Sequence, residues 1–216
     1  MNKSQLLEDA QLLKESLGQL PEPVVTPSLI MVSGLPGTGK SYFCRRLAER
    51  VPLTILESDS LRKFLFPSPS YTAQESFRLF QACYILIEEL LKRGIILALD
   101  ATNLEEHHRE RFYHIAEQVG AKLIIVRIEA PSEVVQLRLR QRAEGANPED
   151  HSEADWGVYQ RMKPTVQKIR RNYFAVDTSK DITPVIDKIV RRMQANSKSQ
   201  FLNSRQSSMV RYTTHE

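Results

Sequence analysis

Gly34-Leu35-Pro36-Gly37-Thr38-Gly39-Lys40-Ser41 fits the phosphate-binding pattern G-x-x-x-x-G-K-[ST], and the residues on either side of it decide the fold. Upstream, Leu29-Ile30-Met31-Val32 is a short apolar run that reads as a buried strand. Downstream, Tyr42, Phe43, Leu47 and Ala48 fall among basic residues at helical spacing. Glycines between a strand and a helix permit a tight turn and leave backbone N–H groups pointing inward around a phosphate. The helix N-terminus adds its partial positive charge. Lys40 brings a mobile ammonium to the β- and γ-phosphates, and the Ser41 hydroxyl can ligate Mg²⁺. The loop residues Gly34 to Ser41 and the adjoining Tyr42 form the expected nucleotide cradle, with ATP and Mg²⁺ as its cofactors. A glycine-rich turn with a chance lysine is the bland alternative, and both flanks argue against it.

Working outward, the pattern alternates between strands and helices. Strand 29–33 leads to helix 39–50, and strand 53–57 to a short helix from Asp59. Helix 72–92 precedes strand 95–99, helix 105–119 precedes strand 122–128, and helices follow over 131–142 and 153–171. Strand 173–177 and helix 182–194 complete the series. Runs such as Ile95-Ile96-Leu97-Ala98-Leu99 and Leu123-Ile124-Ile125-Val126 predict an α/β fold whose parallel sheet is buried on both faces. In front of it, Leu6, Ala10, Leu13 and Leu17 make one helical stripe over 4–18, expected to pack on the outside of the domain. Pro21, Pro23 and Pro27 then make an extended linker. The expected division is therefore a helix and linker at 1–27, a domain at 28–195 with a helical lid at about 131–165, and a disordered tail at 196–216.

The 216 residues are 41% hydrophobic and 26% charged, an ordinary globular composition with a net charge of +4 that suits nucleotides or nucleic acid without demanding either. No apolar run is long enough to span a bilayer, so no membrane partner is expected. The start of the chain lacks a signal-peptide pattern, since Glu8, Asp9 and Lys14 interrupt its leucines. Cys44 and Cys83 sit in predicted helices, which suggests reduced thiols and a cytoplasmic setting. Nothing indicates an oligomeric state.

Functional groups in open parallel sheets gather beyond the carboxyl ends of the strands. The second strand ends at Glu57-Ser58-Asp59, with Arg62 one helical turn on. A carboxylate there can accept the proton of an attacking hydroxyl, and the arginine can hold an anionic acceptor. An N-capping aspartate with a surface arginine is the structural alternative. The third strand ends at Asp100-Ala101-Thr102-Asn103, where Asp100 suits Mg²⁺. Thr102 and Asn103 are assigned structural or mixed roles, capping the next helix or reaching the acceptor side. Asp59 and Asp100 can exchange base and metal roles by letters alone. Arg138 and Arg142 lie one turn apart on one helix face, suited to the charge on a transferring phosphoryl group, while Arg140 points to solvent. The basic stretch Arg161, Lys163, Lys168, Arg170 and Arg171 lacks interleaved aromatics and reads as a solvated helix face rather than a nucleic-acid surface. Trp156 and Tyr159 read as core, and His107, His108 and His114 as surface residues without a zinc partner set.

In order, Gly-Leu-Pro-Gly-Thr-Gly-Lys-Ser, Ser58-Asp59-x-x-Arg62, Asp100-Ala101-Thr102-Asn103-Leu104 and Arg138-x-x-x-Arg142 resemble the P-loop kinases that include polynucleotide 5′-hydroxyl kinases, the AAA_33-type ATP-binding kinase-like proteins. The likeness covers roughly residues 28–192. It implies a three-layer P-loop NTPase fold with five parallel strands in the order 2-3-1-4-5 and a helical lid. It also implies Lys40 and Ser41 on the triphosphate and Mg²⁺, Asp59 as general base and Arg62 as an acceptor contact. Arg138 is then the catalytic lid arginine, supported by Arg142. Asp177-Thr178-Ser179 falls where this superfamily lines the adenine site. Two stretches depart from the short-lid polynucleotide kinases: Ala143 to Asp150 lengthens the lid, and Ser152 to Tyr159 looks like other bacterial members. The acceptor is thereby left open among a small molecule, a nucleotide and a nucleic-acid 5′-hydroxyl end.

Two function classes follow. One is an ATP-dependent kinase that transfers the γ-phosphate to a hydroxyl acceptor. The other is a regulatory ATPase or nucleotide-operated binding module with water as its only acceptor. The chain has no Asn-Lys-x-Asp guanine-reading motif, no Asp-x-x-Gly switch and no Leu-Ser-Gly-Gly-Gln-like signature, which disfavours a GTPase and a transporter-type ATPase.

Overall fold

The computed structural model describes residues 2–145, 152 and 154–195. The expected tail at 196–216 and the long stretch behind the lid arginines at 146–150 lie outside them. Ser28–Ser33 (β1) is buried along its whole length and occupies the centre of the sheet, as its unbroken apolar run requires. Around it stand Thr54–Glu57 (β2), Leu97–Asp100 (β3), Lys122–Glu129 (β4) and Phe174–Asp177 (β5). All are parallel, in the order β2-β3-β1-β4-β5. This is the order that the resemblance implied.

Eight helices are described: α1 (Lys3–Glu15), α2 (Lys40–Ala48), α3 (Ser58–Leu65), α4 (Ala73–Lys92), α5 (Glu106–Val119), α6 (Ser132–Ala143), α7 (Trp156–Met162) and α8 (Thr183–Gln194). They divide the core in two. On one face, Leu29, Met31, Leu97 and Leu99 pack with Leu86, Leu90 and Phe112 of α4 and α5. On the other, Ile30, Val32 and Val126 pack with Phe43, Leu47, Ile186 and Ile189 of α2 and α8. Alternate side chains of β1 thus feed both layers, each buried aliphatic contributing about 1.5–3 kcal/mol.

The front helix α1 is built into this body. Leu13 is fully buried in the first core, and the buried Asp9 carboxylate receives Arg78 of α4 bidentately, at 2.7 and 2.6 Å. The expected helix at 153–171 is much shorter. It begins with Asp155 accepting from the Val158 N–H at 2.7 Å, ends at Met162 and passes through a 3-10 turn at Lys163–Thr165. Pro164 lacks an N–H, and the chain beyond it is captured by another element. The Gln167 N–H donates to the Leu104 carbonyl, and Arg109 of α5 donates to the Gln167 and Lys168 carbonyls at 2.9 and 3.1 Å. Arg109 is itself fully buried and also binds Glu106 and the Asn103 carbonyl.

Candidate functional site

β1 delivers the phosphate loop at the carboxyl edge of the sheet, and two of its glycines are dictated by what they touch. Gly37 has φ +76, and a Cβ there would lie 2.9 Å from Leu139 of α6. Gly39 has φ +93, and a Cβ there would meet Thr178 at 2.9 Å. The loop is therefore pressed between the lid helix and the loop after β5, in backbone conformations that side chains resist. Thr178 fixes one side chemically: its hydroxyl donates to the Thr38 carbonyl at 2.6 Å. Arg138 of α6 donates to the Thr178 hydroxyl and carbonyl at 2.8 and 2.9 Å.

A cavity of about 1090 Å³ opens over this loop. Pro36, Gly37, Gly39, Lys40, Ser41 and Tyr42 line its donor side, and Asp59, Arg62, Asp100, Thr102, Arg138 and Arg142 complete the set of expected residues that reach it. Lys40 donates to the Leu35 carbonyl at 3.2 Å. Burial holds its ammonium below the usual lysine range, opposed by the charges of Asp100 and Asp59. Asp100 is buried at 3% exposure, which raises its carboxyl above the usual range, while Lys40 and a hydrogen bond from Ser41 pull it down. Its Oδ2 has no hydrogen-bond partner among the described residues. An orphaned carboxylate oxygen beside the Ser41 hydroxyl is the hard-oxygen donor set that suits Mg²⁺.

Four members of the expected set do not line the cavity. Gly34 gives its N–H to the Thr102 carbonyl at 3.0 Å, and Leu35 packs against Val135 and Leu139 of the lid cluster. The Thr38 hydroxyl folds back onto the Leu35 carbonyl at 2.7 Å. Asn103 is a correction: it is 5% exposed, with φ 45, and its amide donates to the Val32 carbonyl at 2.6 Å. Its carbonyl accepts from Ser33 and Arg109, so it braces the phosphate-loop strand rather than facing an acceptor. Both lid arginines reach the cavity; Arg138 is also engaged by Thr178, and Arg142 approaches the Ala154 carbonyl at 3.5 Å.

Sequence reasoning missed Tyr71, Phe80 and the cavity position of Arg161, whereas Thr178, named there only through the family likeness, does reach the cavity. Loop placement hides the first, and the others depend on tertiary packing. The basic stretch from Arg161 is no helix face: Arg161 reaches the cavity, while Arg171 pairs with Glu117 at 2.5 Å. Tyr159 is core, as expected, stacked on Trp156 at 4.8 Å. His114 is exposed, and Glu105 gathers with His107 and His108 at the surface. Cys44 and Cys83 are both buried, and burial pushes the Cys83 thiol up to about 12. Among the described residues, no helix is long and apolar enough to cross a membrane.

A parallel β2-β3-β1-β4-β5 sheet with a glycine–lysine loop after its central strand defines a P-loop protein of the kinase type. The AAA_33 family model, described as an AAA domain, matches residues 29–169, and the chain belongs to this family. Among solved structures it is similar to a gluconokinase from Sinorhizobium meliloti 1021, with TM-score 0.55 and 19% identity over 82% of this chain and 98% of that one. Kti12 from Chaetomium thermophilum in complex with ADP-AlF3 matches with TM-score 0.61 and 20% identity, over 74% and 96% of the two chains. The APS kinase of Mycobacterium tuberculosis in complex with AMPPNP and APS matches with TM-score 0.60 and 14% identity, over 79% and 97%.

Proposed function

We propose that this protein is an ATP- and Mg²⁺-dependent phosphotransferase acting on a hydroxyl acceptor. The observation that carries this reading is the convergence of Lys40, Asp59 and Asp100 on one cavity, with Asp59 close enough for its charge to bear on both others. Solved relatives of the same fold with kinase names, one holding AMPPNP beside APS, support it. In this reading the loop amides and Lys40 bind the β- and γ-phosphates. Ser41 and Asp100 would hold Mg²⁺, which supplies charge neutralisation across the phosphates when bound. Asp59, in the first turn of α3, orients the acceptor hydroxyl and takes its proton as the oxygen attacks the γ-phosphorus. The bond to the β–γ bridging oxygen breaks and ADP leaves.

Arg138 and Arg142 both line the cavity from α6 and are the groups suited to stabilise the transferring phosphoryl group. Arg138 also ties α6 to Thr178, and Arg142 approaches the Ala154 carbonyl at 3.5 Å. The test is transfer of labelled γ-phosphate to a panel of hydroxyl compounds and nucleic-acid ends. Asp59→Asn is expected to abolish transfer with nucleotide affinity retained. Arg138→Ala is expected to lower kcat by about 10³-fold, the low end for a transition-state arginine, with Arg142→Ala having a smaller effect; a change in the ATP KM alone would place Arg138 at the ground state. Phosphate release to water alone across the whole panel would favour the regulatory ATPase instead.

A further inference from the structure

The turn from the third strand into α5 gathers three groups that the phosphate site does not use. Glu105, His107 and His108 are exposed, and each offers one ligand atom within 4.8 Å of the others. None of the three lines the cavity over the phosphate loop. Read along the chain, these histidines lack a carboxylate partner; the turn into α5 supplies one.

Glu105 stands at the N-cap position of α5, where a side-chain oxygen can bond the free N–H groups of the first turn. Its carboxylate makes no such capping bond. It faces His107 instead, with Oε2 3.5 Å from Nδ1. The His107 and His108 rings lie side by side, their centroids 3.9 Å apart and their planes at 39°. His108 is backed in turn by Phe80 of α4, stacked at 6.3 Å and 20°.

These separations fit a small ion. Zn²⁺ bonds to imidazole nitrogen and to carboxylate oxygen are each about 2.0–2.2 Å long. An ion seated between His107 Nδ1 and Glu105 Oε2, 3.5 Å apart, would see them at about 115°, close to the tetrahedral angle. Two such bonds span at most about 4.2 Å, so a ligand atom at the 4.8 Å limit has about 0.6 Å to close, within reach of a ring rotation. Two imidazoles and one carboxylate favour late first-row dications over Mg²⁺ and Ca²⁺, which take oxygen throughout. Two features oppose a cation here: the positive end of α5, and Arg111, whose charge is felt at His108. Direct metal–imidazole bonds, rather than charge attraction alone, are what such a place requires.

We infer that Glu105, His107 and His108 form a surface site for a late first-row divalent cation of the Zn²⁺ class, with its remaining positions open to water or a further ligand. The site is separate from the Ser41 and Asp100 pair assigned to Mg²⁺, and it adjoins the cavity wall through Phe80.

The experiment titrates Zn²⁺ calorimetrically into the full chain in excess Mg²⁺, which competes for sites made of oxygen alone. Co²⁺ is added separately and read by its ligand-field absorption. His107→Ala, His108→Ala and Glu105→Gln should each weaken the tightest Zn²⁺ site by about tenfold or more, since loss of even an outer-shell partner costs about 10–100-fold. His114→Ala, on the same helix but outside the cluster, should bind as the parent does. Because the ligands are exposed, all four metal-free variants should melt with the parent. Zn²⁺ should then raise the Tm of the parent and of His114→Ala above that of the other three. Unchanged Zn²⁺ affinity in His107→Ala or His108→Ala, or a Co²⁺ spectrum that neither substitution alters, overturns the site. So does an absence of Zn²⁺ binding in excess Mg²⁺.

Discussion

Replacing Arg109 by Met tests whether one buried guanidinium holds the return limb of the lid onto the sheet. Arg109 is 0% exposed, and Glu106 beside it is 6% exposed, so both charges have left water. The side chain donates from Nε to Glu106 at 2.8 Å, from Nη1 to the Asn103 carbonyl at 2.7 Å, and from Nη2 to the Gln167 and Lys168 carbonyls. Methionine fills much of the same volume but supplies none of these donors. Glu106 would keep only the Arg170 N–H, at a long 3.3 Å. Breaking a buried pair by removing one partner costs about 3–5 kcal/mol. For a chain of this size that lowers Tm by about 6–20 °C. Thermal unfolding reads the total, and hydrogen exchange at Gln167 and Arg170, whose N–H groups bond to Leu104 and Glu106, reads the place. Adding Glu106→Gln to Arg109→Met removes the stranded charge and should recover part of the loss. A single variant that melts within about 2 °C of the parent, or a double variant that falls further, refutes the assignment of Arg109 as the tether.

Thr178→Val removes the hydroxyl that accepts from Arg138 and donates to Thr38, and should cost about 1.5–3 kcal/mol while raising the ATP KM. Thr178→Ser should restore both, and a valine variant equal to the serine variant counts against the bridge. Asp9 gives a pH test, because the Arg78 guanidinium holds its carboxyl below the ordinary value of 3.8. A depressed folded-state value means stability present above 3.8 and lost as pH falls through the lower folded value, since the unfolded chain binds the proton first. The Tm of the parent should therefore drop more steeply in that acid window than the Tm of Asp9→Asn. Parallel curves exclude the ion pair as the cause.

Most of the sheet was legible because its strands are dense in β-branched and leucine residues between glycine and polar breaks. Residues 95–99 and 122–128 show this plainly, and β3 and β4 fall there within a few residues. The strand order was not readable from periodicity, since nothing within a strand names its neighbour; it came from the family likeness of four ordered motifs. The second lid helix was misjudged because its end is set at a distance. Pro164 is a local signal, but the capture of residues 167 and 168 by Arg109 depends on a contact 58 residues away in sequence. At the site, Asp59 and Asp100 were visible as charges following apolar strands, although Asp59 reads equally as a helix cap by spacing alone. The tie between Arg138 and Thr178 was invisible, because the two lie 40 residues apart. Asn103 carried the letters of a cap or contact and became a brace instead, its amide held by the Val32 carbonyl. Tyr71 sits in a Ser-Pro-Ser-Tyr-Thr stretch that reads only as a loop.

The hydrogen bonds around the phosphate loop explain why these residues matter to chemistry. Thr178 bonds Thr38 on one side, while Thr102 bonds Gly34 and Asn103 bonds Val32 on the other. Arg109 then joins Asn103 to residues 167 and 168 behind the lid. The loop is thus shaped by the protein itself, so a nucleotide meets amides already in position, with little reorganisation left for the reaction step. Against that well-bonded background, two buried polar atoms on the cavity lining remain without partners among the described residues: Asp100 Oδ2 and Arg62 Nε. One is an anion beside the phosphate loop, where a cation would accompany the triphosphate. The other belongs to Arg62, whose Nη2 is held by the Ser76 hydroxyl at 3.1 Å. A pre-shaped loop with an unmet carboxylate oxygen beside it is what the proposed phosphotransferase reading requires on its nucleotide side.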